Sequence, residues 1–175
     1  MPLKRLFIAM IILFIPTLIA MIVIDEELKM STAPYGIISL ELCGYSDSCI
    51  TVLDGWGNDG KKLAMLSLGL DYLYLILYPS LTCLALLLIL PYLAIKLQRM
   101  TQIIAWISLL CIPLDAFENY FLIKIVLGSS APLYSKLGAA FAITKFAVFG
   151  ISIIWLFSCG IFVFLIQKQK IGRIM

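Results

Sequence analysis

The sequence predicts an all-α fold: an integral membrane four-helix bundle with one larger outer loop containing short helices. Three observations predict it. Hydrophobic residues make up 63% of the 175 and charged residues only 13%, about half the charged share of an ordinary soluble domain. Mean hydropathy is +1.09. The apolar residues fall into four stretches, each able to supply the roughly 20 helical residues that a bilayer core needs. A chain this apolar cannot cover a water-facing surface, so a soluble globular protein is excluded. Histidine is absent, which removes His-ligated haem, His-rich zinc sites and His-based catalytic triads.

The first span is expected at about 6–24, after Lys4 and Arg5. Its apolar run exceeds the ~7–15 residues of a signal peptide, and Leu18-Ile19-Ala20-Met21 is a poor small-residue cleavage site, so it reads as an uncleaved anchor. Pro16 should bend it, with Thr17 satisfying freed backbone groups. The outer loop takes 25–61. In it, Ser31-Thr32-Ala33-Pro34 offers a capping hydroxyl and a first-turn proline for a short helix. The stretch Tyr35 to Leu42 is apolar apart from Ser39 and Glu41, and is expected at the interface or dipping into the bundle mouth. Ser46-Asp47-Ser48 can open a second short helix through Leu53, ended by Gly55-Trp56-Gly57, with Trp56 at headgroup level. Spans two, three and four follow at about 62–96, 101–124 and 136–167. Gly138 and Ala142 in span four form a small-xxx-small pair that permits close helix approach. Residues 1–175 make one membrane domain, without internal repeats.

Basic residues orient the chain. With both termini cytoplasmic, the inner side carries Lys4, Arg5, Lys96, Arg99, Lys168, Lys170 and Arg173 and no acid, while the outer loop carries seven acids. The net charge of +3 then reflects orientation in the membrane, the cytoplasmic (plasma) membrane being expected. No basic patch interleaved with aromatics points to nucleic acid.

Cys43 and Cys49 share the outer, oxidising side, and a disulfide is the leading reading. Free thiols or a metal pair are the alternatives. Cys83, Cys111 and Cys159 sit inside spans, where cysteine acts as a small apolar residue. In size and topology the chain is similar to four-span membrane thiol oxidoreductases of the disulfide-forming and vitamin-K-epoxide-reductase-like kinds. Those need reactive cysteine pairs, typically Cys-x-x-Cys, near the outer face. Here the close pair is Cys43 and Cys49 with five residues between, and no second loop pair exists. Membership is not inferred.

The remaining acids, Asp71, Asp115 and Glu118, lie in spans together with Lys145. A charge at the bilayer centre costs about 2.5–3.5 kcal/mol even on the lenient insertion scale. At 1.5 Å per residue, Asp115 and Glu118 lie ~20 and ~25 Å up span three, so all four charges gather in the outer half. Asp115 and Glu118 share a helix face with Asn119. Asp71, Tyr74, Tyr78 and Thr82 form another face, and Lys145, Val148, Ser152 and Cys159 a weaker one. Polar faces in lipid turn inward. Pro79 and Pro113 should bend their helices and widen the outer half. Asp115 and Glu118 would not both ionise without a cation, Lys145 being the natural one and Lys124 a second.

The leading expectation is a binding protein whose ligand site comprises Asp71, Tyr74, Tyr78, Asp115, Glu118, Asn119 and Lys145. The ligand would be an amphipathic or cationic small molecule or lipid. The alternatives are an intramembrane lipid-modifying enzyme using paired carboxylates, an accessory subunit or assembly factor meeting a membrane-protein partner, and a buried polar network that only fixes helix register. No metal site or cofactor is expected: di-metal bundles want Glu-x-x-His pairs, and the glycines show no phosphate-binding pattern.

Overall fold

The computed structural model describes residues 2–45, 49–129 and 132–172. Among them the chain is helical, without a strand; one isolated bridge pairs Met30 with Ala33. The helices are α1 (Pro2–Leu28), α2 (Ile37–Glu41), α3 (Cys49–Ile89), α4 (Ile95–Ser108), α5 (Cys111–Val126) and α6 (Pro132–Gly172), with a 3₁₀ turn at Leu90–Tyr92. Four segments are long and apolar enough to cross a membrane: Leu3–Leu28, Cys49–Tyr92, Ile95–Val126 and Pro132–Leu165. By length and composition the chain is a multi-pass membrane bundle. Its ends are called here the loop end, where α1 runs toward α3 and α5 toward α6, and the terminal end.

α3 is the hub, touching α1, α4, α5 and α6, while α5 and α6 pack closely on each other. α1 packs on α3, and large apolar residues such as Ile8, Ile12, Ile19 and Val23 face outward. On α6, Ala139 and Ala142 are buried, and Gly138 lies against Leu122 and Phe121 of α5. Small side chains at this contact let the two backbones approach.

The helix ends differ from those expected at charged residues. α1 runs to Leu28 rather than 24, α3 begins at Cys49 rather than 62 and ends at Ile89 rather than 96, and α4 begins at Ile95 rather than 101. An apolar run stops where charge begins, but backbone hydrogen bonds do not. Asp59 and Lys62, exposed and 2.8 Å apart, ride on a continuing helix. The loop of 25–61 is therefore shorter than its charge pattern implies. Ser46-Asp47-Ser48, read as a helix start, lies outside the described residues. Gly57 leaves the helical region at φ 59°, ψ −161°, and the helix resumes beyond it. At Pro113 the expected break appears: the chain turns at Leu109 and Leu110, and Ile112 N–H donates to the Leu109 carbonyl at 3.1 Å. Proline cannot supply the i+4 donor for that carbonyl, and the shorter bond takes its place. Pro16 and Pro79 lie inside helices that continue past them. The Thr17 hydroxyl donates to the Leu13 carbonyl at 2.8 Å.

The loop is folded tightly onto the bundle. Asp25 Oδ1 accepts the Ile37 backbone N–H at 2.7 Å, holding the start of α2. Trp56 is buried, not at headgroup level, and its Nε1 donates to the Leu28 carbonyl at 2.7 Å. The indole thus satisfies the C-terminal carbonyl of α1, a group with no partner within its own helix. Cys43 and Cys49 form the expected disulfide, tying the segment after α2 to the first residue of α3. Leu28, Ala33, Leu40, Leu53, Trp56, Leu68 and Leu122 make the core beneath.

Gly36 sits at φ 56°, where a Cβ would collide with Asp25 Oδ1. Gly36→Ala combines backbone strain with loss of the Asp25 contact. It should destabilise the protein by about 1–3 kcal/mol, and Asp25→Ala by about 0.5–2 kcal/mol. Denaturant or thermal unfolding of the purified protein in detergent measures both. A Gly36→Ala protein as stable as the parent would contradict this docking of α2.

Candidate functional site

Lys145 of α6 is the centre of the site. It is buried, and its Nζ lies 2.9 Å from Asp115 Oδ1 and 2.8 Å from Glu118 Oε2, with Glu41 Oε1 at 4.0 Å. The Asp115 contact is a hydrogen bond donated by the ammonium. The Glu118 contact is an ion pair at a poor hydrogen-bonding angle, and the Glu118 oxygens and Glu41 Oε2 are buried with no partner outside this cluster among the described residues. Tyr78 of α3 donates to the other Asp115 oxygen at 3.0 Å. Asn119 Nδ2 donates to Asp71 Oδ2 at 2.6 Å, linking α5 to α3. The Lys145 ammonium also lies 4.8 Å from the centroid of the Phe146 ring.

Each helix brings its part by simple spacing. On α5, Asp115, Glu118 and Asn119 are all buried at i, i+3 and i+4, one face of one turn. On α3, Asp71, Tyr74 and Tyr78 follow the same rule, with Tyr74 and Tyr78 rings 5.2 Å apart. Phe14 of α1 stacks on Tyr74 at 5.5 Å, and Phe149 of α6 meets Tyr78 edge-on at 4.8 Å. This aromatic row crosses from α1 over α3 to α6.

A cavity of about 200 Å³ opens beside the cluster, lined by Met21, Ile38, Glu41, Asp71, Tyr74, Tyr78, Asp115, Lys145, Phe146 and Phe149. The structure therefore gathers all seven residues that the sequence singled out. Two of them, Glu118 and Asn119, do not line the cavity. Glu118 is fully buried against Lys145, and Asn119 is turned to Asp71. Lys124 takes no part; its ammonium sits 5.6 Å from the Tyr120 ring centroid. Thr82 donates to the Tyr78 carbonyl at 2.9 Å and is closed off from the cluster.

Glu41 is the member that sequence reasoning placed elsewhere, among the outer-loop acids. It ends the five-residue α2 and reaches the ammonium of Lys145 and the carboxyl of Glu118. The available signal was its position as the one charge in the apolar stretch 35–42, two residues before the bridged Cys43. Burial holds the Glu41 carboxyl above its ordinary value of 4.5. The Asp115 charge adds to that, while Lys145 and the contact with Glu118 act the other way.

The cluster is unbalanced. Glu41, Asp115 and Glu118 surround a single ammonium, with Asp71 at the cavity wall. Uncompensated buried carboxylate costs several kcal/mol. The site therefore retains a proton, on the carboxyl pair that includes Glu41, or receives a further cation. Among the described residues no group of three or more His, Cys, Asp or Glu side chains is arranged to hold a metal ion. No family model, curated protein or solved structure matches the chain.

Two outcomes follow from this balance. Lys145→Met leaves three carboxyls without their cation and should cost about 3–5 kcal/mol, read by unfolding in detergent. Adding Asp115→Asn to that variant should recover a large part of the loss; additive losses would contradict the pairing. The pH dependence has a definite sign. The fold favours neutral Glu41, so its contribution is full below pH 4.5 and is lost as pH rises through the raised folded value. Glu41→Gln should flatten the decline of melting temperature with rising pH above 4.5. An unchanged pH profile would place Glu41 outside the cluster.

Proposed function

We propose that this protein binds an amphipathic molecule with a cationic head within the membrane, at the cavity beside Lys145. The carrying observation is the excess of carboxyls over cations in a buried cluster that opens into an aromatic-walled cavity. A ligand ammonium entering there would supply the missing positive charge. It would displace the retained proton and lie against the tyrosine and phenylalanine faces, which attract cations. The shape suits binding: a small concave site, mostly apolar, with a few convergent polar groups.

The arrangement of charge supports an orientation in which the site opens toward the outer leaflet. Among the described residues the terminal end carries Lys4, Arg5, Lys96 and Arg99 and no acid, whereas the loop end mixes Lys29, Lys61, Lys62, Lys124 and Lys136 with acids. Basic residues near span ends remain in the cytoplasm, so both termini would be cytoplasmic; that the membrane is the plasma membrane is part of the proposal and does not follow from this charge pattern.

Thermal unfolding in detergent with two amphiphiles of equal chain, hexadecylamine and palmitate, tests the charge preference. The amine should raise the melting temperature and the carboxylate should not. Asp71→Asn keeps an acceptor for Asn119 but removes a charge from the cavity wall, and should reduce the amine's effect. Binding should also weaken as pH falls, because the proton on Glu41 competes with the ligand cation. Equal shifts from amine and carboxylate, or none from either, would overturn the proposal.

A further inference from the structure

The polar cavity has apolar neighbours along the bundle. Below it, between α1, α3 and α6, lies a shallow, open apolar groove of about 370 Å³, and beyond that another of about 330 Å³ near the terminal end. The second and third share Phe7 and Ala85 as walls. The first and second meet at one ring: Phe14 lines the apolar space and stacks on Tyr74, which lines the polar one.

The walls repeat every seven residues on all three helices. α1 contributes Phe7, Phe14 and Met21; α3 contributes Tyr78 and Ala85, with Tyr92 following in the 3₁₀ turn; α6 contributes Phe149, Leu156 and Val163. A seven-residue step returns a helix to nearly the same face. Two such steps span about 21 Å at 1.5 Å per residue, some two-thirds of a hydrocarbon core of about 30 Å. The spaces therefore form one crevice along the bundle, polar at the loop end and apolar for the rest. The hydroxyl of Thr82, which lines the second space, is already donated to the Tyr78 carbonyl. α1 packs on α3 while α6 packs on α5, which leaves the crevice between α1 and α6 facing the hydrocarbon.

We infer that the crevice between α1 and α6 holds the single long hydrocarbon chain of a cationic amphiphile taken from the surrounding bilayer, its head seated beside Asp71 and Asp115. This rests on the binding reading above and adds the chain, its course and the lateral entry. Charge selects the head, since the polar end carries more acid than base. Shape selects the chain, since lipid tails are as apolar as the crevice walls and burial alone gives no preference.

Photolabelling of the full chain in phosphatidylcholine nanodiscs separates the two claims. One probe is hexadecylamine with a diazirine beside the amine. The second carries the diazirine at the chain end. The control is a phosphatidylcholine with the same group at one chain end. The head probe should label peptides containing Tyr74 and Phe149. The chain-end probe should label peptides containing Phe7, Ala85 and Val163 about tenfold above the lipid control, the ratio that 1.4 kcal/mol of preference gives. Ala85→Trp, which fills the middle of the crevice, should abolish that excess and leave the head labelling. A chain-end pattern matching the control, while the head probe still labels its peptides, would overturn the crevice and leave the binding site standing. Failure of the head probe to label its peptides would overturn both.

Discussion

A lysine ammonium buried in an apolar bundle cannot be left alone. Lys145 is the one cation that the described residues place among the buried acids, and its position fixes the helices around it. Asp115 answers it with one oxygen and binds Tyr78 with the other. A single carboxylate thereby joins α6, α5 and α3. Glu118 approaches from the next turn of α5, and Glu41 from the loop. Removing the ammonium leaves several carboxyls uncompensated in a medium of low polarity, while removing one carboxyl changes the balance for the others, which is why the cluster behaves as a unit.

The loop's structure makes sense in relation to that cluster. A five-residue helix has little stability of its own. Here α2 is held at its start by Asp25, and the segment after it is bonded through Cys43 to Cys49. Trp56 secures the end of α1, from which Asp25 projects. The result is that Glu41, at the last position of α2, is delivered to a buried ammonium belonging to α6. Loop packing and site electrostatics are one problem in this protein, because the loop supplies one of the carboxyls.

Much of this was legible in the sequence, and the remainder failed for physical reasons. Four apolar stretches declared the bundle, and helical spacing put Asp115, Glu118 and Asn119 on one face and Asp71, Tyr74 and Tyr78 on another. The inward turn of those faces followed from the cost of polar groups in lipid. The pairing of Cys43 with Cys49 followed from their shared loop. Glu41 was not placed, because the periodicity of one helix says nothing about contacts across some hundred residues of chain. Trp56 was misplaced because its amphipathic ring suits an interface as well as a buried carbonyl. Helix ends were misplaced because charge pattern reports the apolar run and not the hydrogen-bond ladder. Glu118 and Asn119 were assigned to the right face, but they lie behind the cavity wall rather than in it, which depends on how Lys145 and Asp71 fill the space between helices.

The central claim is that the ligand-free cluster carries more carboxyl groups than its ammonium can balance, and so keeps a proton. Infrared spectroscopy of the purified protein at neutral pH reads this directly. The carbonyl stretch of a protonated carboxylic acid is separate from carboxylate bands and shifts on hydrogen–deuterium exchange. The account requires such a band in the parent protein, and a change in its position or intensity in Glu41→Gln, since that substitution removes one of the excess carboxyls. A parent spectrum with every carboxyl ionised would contradict it.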